Sequence, residues 1–127
     1  MPELPEVETT KRGIEPYLHN QSITKILVRQ KSLRIPFNDN LKKHITHVKI
    51  KNIKRRAKYI VIDFANEYSM VIHLGMTGNL RASRQKKFLK HDHIIFYLES
   101  GNSLIFNDVR RFGLVQIYKT KGSFYLL

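Results

Sequence analysis

The chain has 127 residues, enough for one domain with its own core and too few for two ordinary ones, so residues 1–127 are read as a single domain. Hydrophobic residues make up 42% of it, which argues for a folded chain rather than a disordered one, and the absence of cysteine excludes disulfides, thiolate catalysis and any cysteine-ligated zinc site within it. Lys and Arg number 23 against 10 Asp and Glu, for a net charge of +13. The first 15 residues hold four glutamates against two cations, a net −2, so the remainder carries +15. An acidic opening on a strongly basic body points to a polyanion partner with a small acid/base site attached; the plainer reading is a basic protein that stays soluble.

In chain order, Pro5-Glu6-Val7-Glu8 reads as the first turn of a helix, because Pro is tolerated there and carboxylates suit the positive helix end. Val7, Ile14 and Leu18 continue it at helical spacing, and Pro16 is expected to end or bend it. Asp39-Asn40 is expected to cap a short second helix through Ile45. The rest reads as short strands rich in β-branched and aromatic residues: Ile23–Arg29, Val48–Ile53, Tyr59–Phe64, Met70–Leu74, Ile94–Leu98, Leu104–Phe106 and Leu114–Tyr118. Ile60, Ile62 and Phe64 share one face, as do Met70, Ile72 and Leu74. The prediction is a mainly β chain with flanking helices, an antiparallel β-sandwich with the helix at its N-terminus. There is no internal repeat, linker or low-complexity segment. No apolar run approaches the ~20 residues that span a bilayer. The acidic, proline-rich start is unlike a signal peptide, so a cytoplasmic location without membrane contact is expected.

Chemistry concentrates first at the chain start. Removal of Met1 would leave Pro2 with a free secondary amine, a nucleophile that forms Schiff bases with carbonyl-like carbons. Glu3 and Glu6 stand within a few residues of it to move protons. An iminium made from a secondary amine keeps its positive charge and is a persistent electron sink.

Lys54-Arg55-Arg56-Ala57-Lys58 places four cations in five residues ahead of the strand at Tyr59, either a phosphate clamp or a solvated turn. His73-Leu74-Gly75-Met76-Thr77-Gly78 ends a strand in a glycine-bracketed turn. Met76 at its tip is either a wedge between base steps or a side chain folded back into the core. His73 lies off the apolar face, as a phosphate donor or a surface histidine. The stretch from Arg81 to His91 reads as a mobile basic loop. His91-Asp92-His93 puts two histidines on one side of a strand, but no third ligand is apparent, so no metal site is assigned. Asp108-Val109-Arg110-Arg111-Phe112-Gly113 is a turn between strands in which Arg beside an aromatic suits filling a gap in a base stack; the alternative is a turn with Phe112 in the core.

Taken in order, Met1-Pro2-Glu3-Leu4-Pro5-Glu6-Val7-Glu8-Thr9, Lys11-Arg12-Gly13-Ile14-Glu15-Pro16, Arg55-Arg56-Ala57-Lys58-Tyr59, His73-Leu74-Gly75-Met76-Thr77-Gly78, Lys90-His91-Asp92-His93 and Asp108-Val109-Arg110-Arg111-Phe112-Gly113 resemble the amino-terminal half of formamidopyrimidine-DNA glycosylase. Endonuclease VIII shares the start but matches the later motifs less well. The resemblance implies base-excision repair of double-stranded DNA by a bifunctional glycosylase and abasic-site lyase. Pro2 attacks C1′ of an oxidised purine nucleotide such as 8-oxoguanine, the base leaves, and β- then δ-elimination follow from the Schiff base. Glu3 is then the general acid/base and Glu6 supports it. Lys58, grouped with these catalytic residues, holds phosphates around the lesion together with His73. Met76, Arg110 and Phe112 fill the void left by the everted nucleotide, with Arg110 addressing the orphaned cytosine. His91 and Arg111 join the DNA-binding set.

The family also has a helix–two-turn–helix module and a four-cysteine zinc finger. A chain that stops at Leu127 without cysteine is expected to lack both, and so to hold no zinc and to need no cofactor of its own. It is then one jaw, a monomer with weakened binding or a partner of a separate chain that supplies the rest. Two further readings stand beside the enzyme: a non-catalytic remnant that binds DNA nonspecifically, and a general RNA-binding β-protein. The last lacks interleaved surface aromatics and leaves the Pro2-Glu3 start unexplained.

Overall fold

The computed structural model describes residues 3–31 and 33–120. Helix α1 spans Leu4–Leu18, followed by eight strands: β1 Ile23–Val28, β2 Ile50–Arg56, β3 Tyr59–Phe64, β4 Tyr68–His73, β5 Gly78–Ser83, β6 Asp92–Leu98, β7 Ser103–Asp108 and β8 Leu114–Lys119. They form two four-stranded sheets, β1-β6-β7-β5 and β2-β3-β4-β8, with every strand pair antiparallel. This is the predicted sandwich with its N-terminal helix.

The alternation along β3 and β4 sets the core. Ile60, Ile62 and Phe64, with Met70, Ile72 and Leu74, are buried against Ile94, Phe96, Leu104 and Phe106 from the other sheet. Burying each such side chain contributes about 1.5–3 kcal/mol. The opposite faces of β3 and β4 place Val61 and Val71 in a smaller cluster with Tyr59 and Tyr118. Helix α1 packs against β2, β3 and β5, so it closes the side where an edge strand of each sheet lies, through Val7, Ile14 and Leu18.

The helix runs through Pro16 rather than ending there. Pro16 stands in the last turn, where its missing N–H removes one bond, and burial of Leu18 carries the helix past it. The expected second helix is a 3₁₀ segment, Asp39–His44, capped by Asn38, whose side chain accepts from Asn40 N–H, rather than by Asp39-Asn40. Strand β2 reaches Arg56, so the basic run is mostly strand, and only Ala57 and Lys58 make the hairpin turn. Ala57 takes the left-handed backbone the turn requires, at φ 51°.

The expectation of a loop from Arg81 to His91 is corrected at its start, while residues 84–91 hold no helix or strand. β5 occupies Gly78–Ser83, paired to β7, and Arg81 makes a two-pronged pair with Asp92 at 2.8 and 2.7 Å. Periodicity misses this strand because only Leu80 along it is a buried large apolar residue.

The topology fixes the site. The chain leaves β4 in one sheet and enters β5 in the other through Leu74–Thr77; it leaves β7 and enters β8 through Val109–Gly113. His73 pairs with Leu114 and Gly78 with Asp108, so the two crossovers lie side by side at one end of the sandwich.

Candidate nucleic-acid interface

The paired crossovers line a cleft of about 880 Å³ with Arg34, His73, Met76, Arg110, Arg111 and Phe112 on its walls. Met76 is 44% and Phe112 43% exposed, which excludes the core reading of both. The Arg110 guanidinium carbon stands 5.5 Å from the centre of the Phe112 ring, a cation–π arrangement. Exposed apolar side chains beside cations at a loop tip are suited to enter a base stack.

The loops are held by close backbone approach and by a buried polar knot. Gly75 is left-handed, at φ 62°, and a Cβ there would lie 2.7 Å from the Gly113 nitrogen. Asp108 is fully buried; its Oδ1 accepts from the Thr77 hydroxyl at 2.6 Å and its Oδ2 from the Gly113 N–H at 2.8 Å. Arg111 is a non-glycine residue at φ 59°, and its carbonyl accepts the Arg34 N–H at 3.3 Å.

His73 is half-buried. Its Nδ1 accepts the Gly75 N–H at 3.0 Å, which leaves the proton of the neutral ring on Nε2. Burial first, then the cations of Lys58 and Arg34, hold its pKa below the ordinary imidazole value. A neutral ring with one free N–H suits a phosphate oxygen. Lys58 thus acts on His73 from the neighbouring hairpin turn.

Of the basic run, Lys54 pairs with Asp63 at 3.1 Å and Arg55 with Glu8 at 2.9 Å, so these two cations serve the fold. Glu8 also receives Arg12 at 2.8 Å, and the hydrogen bond from Arg55, then that from Arg12, lowers its pKa. His91 lines an adjoining cleft with Arg29, Lys90 and Arg111, and Arg111 borders both clefts. Asp92 is held by Arg81, Asn107 and the Leu89 N–H, and the His93 Nε2 meets the Asp108 carbonyl.

Glu3 occupies the N-cap position of α1 without a side-chain capping hydrogen bond, and Glu6 lies in the first turn; both are exposed, and neither lines the cleft with Met76. Pro2 lies outside the described residues. The structure therefore brings together His73, Met76, Arg110, Arg111 and Phe112, and does not join the glutamates to them. Sequence reasoning missed Arg34, for which no motif signals, and the structural roles of Thr77 and Asp108, which a hydroxyl and a carboxylate flanking two tight turns do signal.

Fold and site define a β-sandwich that presents a basic, aromatic-tipped cleft on its crossover loops. The model of the formamidopyrimidine-DNA glycosylase N-terminal domain matches residues 1–115, and the chain belongs to that family. It is 45% identical over 121 residues to the formamidopyrimidine-DNA glycosylase of Rickettsia africae (strain ESF-5), covering 94% of this chain and 44% of that protein. To that of Rickettsia canadensis (strain McKiel) it is 47% identical over 121 residues, with the same coverage. Among solved structures it resembles Lactococcus lactis Fpg (MutM) in complex with DNA containing FAPY-dG, with TM-score 0.84 and 32% identity over 93% of this chain and 44% of that one. The L. lactis Fpg complex with abasic-site DNA gives TM-score 0.85 and 32% identity over 94% of this chain and 45% of that one. The chain spans less than half the length of the curated relatives it matches. Among the described residues, no helix is long and apolar enough to cross a membrane.

Proposed function

We propose that this chain acts in base-excision repair of DNA, as the catalytic jaw of a glycosylase and abasic-site lyase that releases oxidised purines such as 8-oxoguanine and formamidopyrimidines. The observation that carries it is the exposed Met76, Arg110 and Phe112 on adjoining loops of one basic cleft. The relatives' names and the DNA in the matching L. lactis complexes support the substrate class.

In this reading the Pro2 nitrogen attacks C1′ of the damaged nucleotide as the C1′–base bond breaks and the base departs protonated. The amine then loses its proton and the C1′–O4′ bond opens to give the iminium, which acidifies the C2′–H for β- and then δ-elimination of the two phosphates. Glu3 moves the protons and Glu6 supports the same site, while Lys58 and His73 hold phosphates. A secondary amine is more basic than the ordinary α-amine of pKa about 8, so cationic neighbours are needed to keep it unprotonated, and a body of +15 works in that direction. Met76, Arg110 and Phe112 fill the space of the everted nucleotide, offsetting part of an eversion cost of a few kcal/mol. His91 and Arg111 extend the contact along the duplex. The chemistry draws on an amine, carboxylates and cations, so the reading assigns this chain no cofactor. The reading places the protein with the DNA of the cytoplasm.

A second reading is a binder of DNA that does not cut it, favoured by the charge alone. Borohydride reduction of the chain with an abasic-site duplex separates the two. The enzyme gives a covalent adduct that acetylation of the N-terminus abolishes. A chain with a free Pro2 amine that forms no adduct at high protein concentration and low salt is the binder.

A further inference from the structure

Met76 stands on one crossover, Arg110 and Phe112 on the other, so their joint action depends on what ties the loops together. The tie is Thr77. Its hydroxyl donates to Asp108 Oδ1 at 2.6 Å and accepts the Arg110 N–H at 2.9 Å. The other Asp108 oxygen accepts the Gly113 N–H at 2.8 Å, and the Asp108 backbone N–H donates to the His91 carbonyl at 3.1 Å. One oxygen thus satisfies a buried carboxylate and fixes the backbone of the residue whose guanidinium faces Phe112. Only a hydroxyl both donates and accepts at this size; valine keeps the shape and does neither, and serine keeps both.

We infer that Thr77 is a positioning residue that holds Met76 at a set distance from Arg110 and Phe112, so that the three enter a duplex as one preformed unit. The inference rests on the reading of those three as a plug. Fixing them before binding removes the ordering cost that two independent loops would carry. Stability alone would not require the hydroxyl to accept from Arg110, whose N–H is at an exposed residue that water could serve.

The test uses the full chain, a duplex with a tetrahydrofuran abasic analogue, and the same duplex undamaged. Fluorescence anisotropy at one salt concentration gives both affinities, and 2-aminopurine opposite the analogue reports insertion. For Thr77→Val, affinity for the analogue is expected to fall about tenfold, the scale of losing one or two hydrogen bonds, with the 2-aminopurine signal reduced. Affinity for undamaged duplex stays within about twofold, since phosphate contacts are untouched. Thr77→Ser retains the wild-type values, and Thr77→Ala replaces the valine variant if that does not fold. If Thr77→Val or Thr77→Ala folds and keeps the discrimination and signal that Met76→Ala and Phe112→Ala lose, the role of Thr77 is overturned and the plug stands. If Met76→Ala and Phe112→Ala change nothing, or the wild type does not discriminate, plug and inference fall together. If Thr77→Ser alone folds, the hydroxyl serves stability and the inference is overturned.

Discussion

Gly75 and Gly113 meet backbone to backbone: a β-carbon on Gly75 would stand 2.7 Å from the Gly113 nitrogen, and one on Gly113 would stand 2.9 Å from the His73 carbonyl oxygen. Gly75 is also left-handed, at φ 62°. Either substitution to alanine pushes the crossovers apart. A loss of about 1–3 kcal/mol is expected for each, by overpacking and, at Gly75, added backbone strain. Gly13→Ala is the control, since nothing lies within 4 Å of its Cβ and it sits within α1. It should stabilise by about 0.5–1 kcal/mol. Urea denaturation of the three variants checks this, and equal losses at all three would contradict the packing described.

His73 makes stability depend on mildly acidic pH. Its folded pKa is lowered, by burial and then by Lys58 and Arg34. Above the unfolded pKa of about 6.5 both states are neutral and the contribution is complete. As pH falls below that value the unfolded chain takes up a proton first, so stability declines until the folded ring titrates too. Protonation also costs the Gly75 N–H its acceptor. NMR titration should give His73 an apparent pKa below 6.5 with the neutral proton on Nε2. A midpoint at or above the free imidazole value would refute it.

The Asp92 pair predicts behaviour at much lower pH. Burial raises the Asp92 pKa, but hydrogen bonds from Arg81, Asn107 and the Leu89 N–H outweigh it and hold it at about 2, against 3.8 ordinarily. Being depressed, it contributes stability above pH ~4, about 2 kcal/mol, which is lost as pH falls through the folded value. Asp92→Asn removes the counter-charge of the partly exposed Arg81 guanidinium and should cost about 2 kcal/mol at neutral pH. Thermal denaturation at pH 7 and pH 3 measures both effects, and a variant as stable as the parent would exclude this account.

Lys58 in the hairpin turn is proposed as a phosphate contact. Lys58→Ala should weaken binding to damaged and undamaged duplex alike and make the salt dependence shallower by about one ion. Titrations at several salt concentrations give the slope. An unchanged slope would remove Lys58 from the interface.

Much of this was legible beforehand because alternation in β3 and β4 is strong: Ile60, Ile62 and Phe64 are where a period of two places them, in the core. β5 was not, since its one buried large side chain, Leu80, leaves no pattern, and Arg81 reads as solvent-facing until Asp92 is seen beside it. At the cleft, Met76 and Phe112 each admitted a core and a surface reading, because local sequence does not say whether a turn lies over the core or beyond it. The pairing of Gly78 with Asp108 decides that, and it joins positions 30 residues apart. Arg34 was invisible for the same reason: its place depends on the Arg111 carbonyl, far along the chain.

Each crossover is moored at one end in the β1-β6-β7-β5 layer and at the other in the β2-β3-β4-β8 layer. Sliding one layer over the other would therefore pull both loops at once and alter the gap between Met76 and Phe112. The well-filled interior resists such shear, so mutations deep between the layers, remote from the cleft, are capable of detuning its mouth.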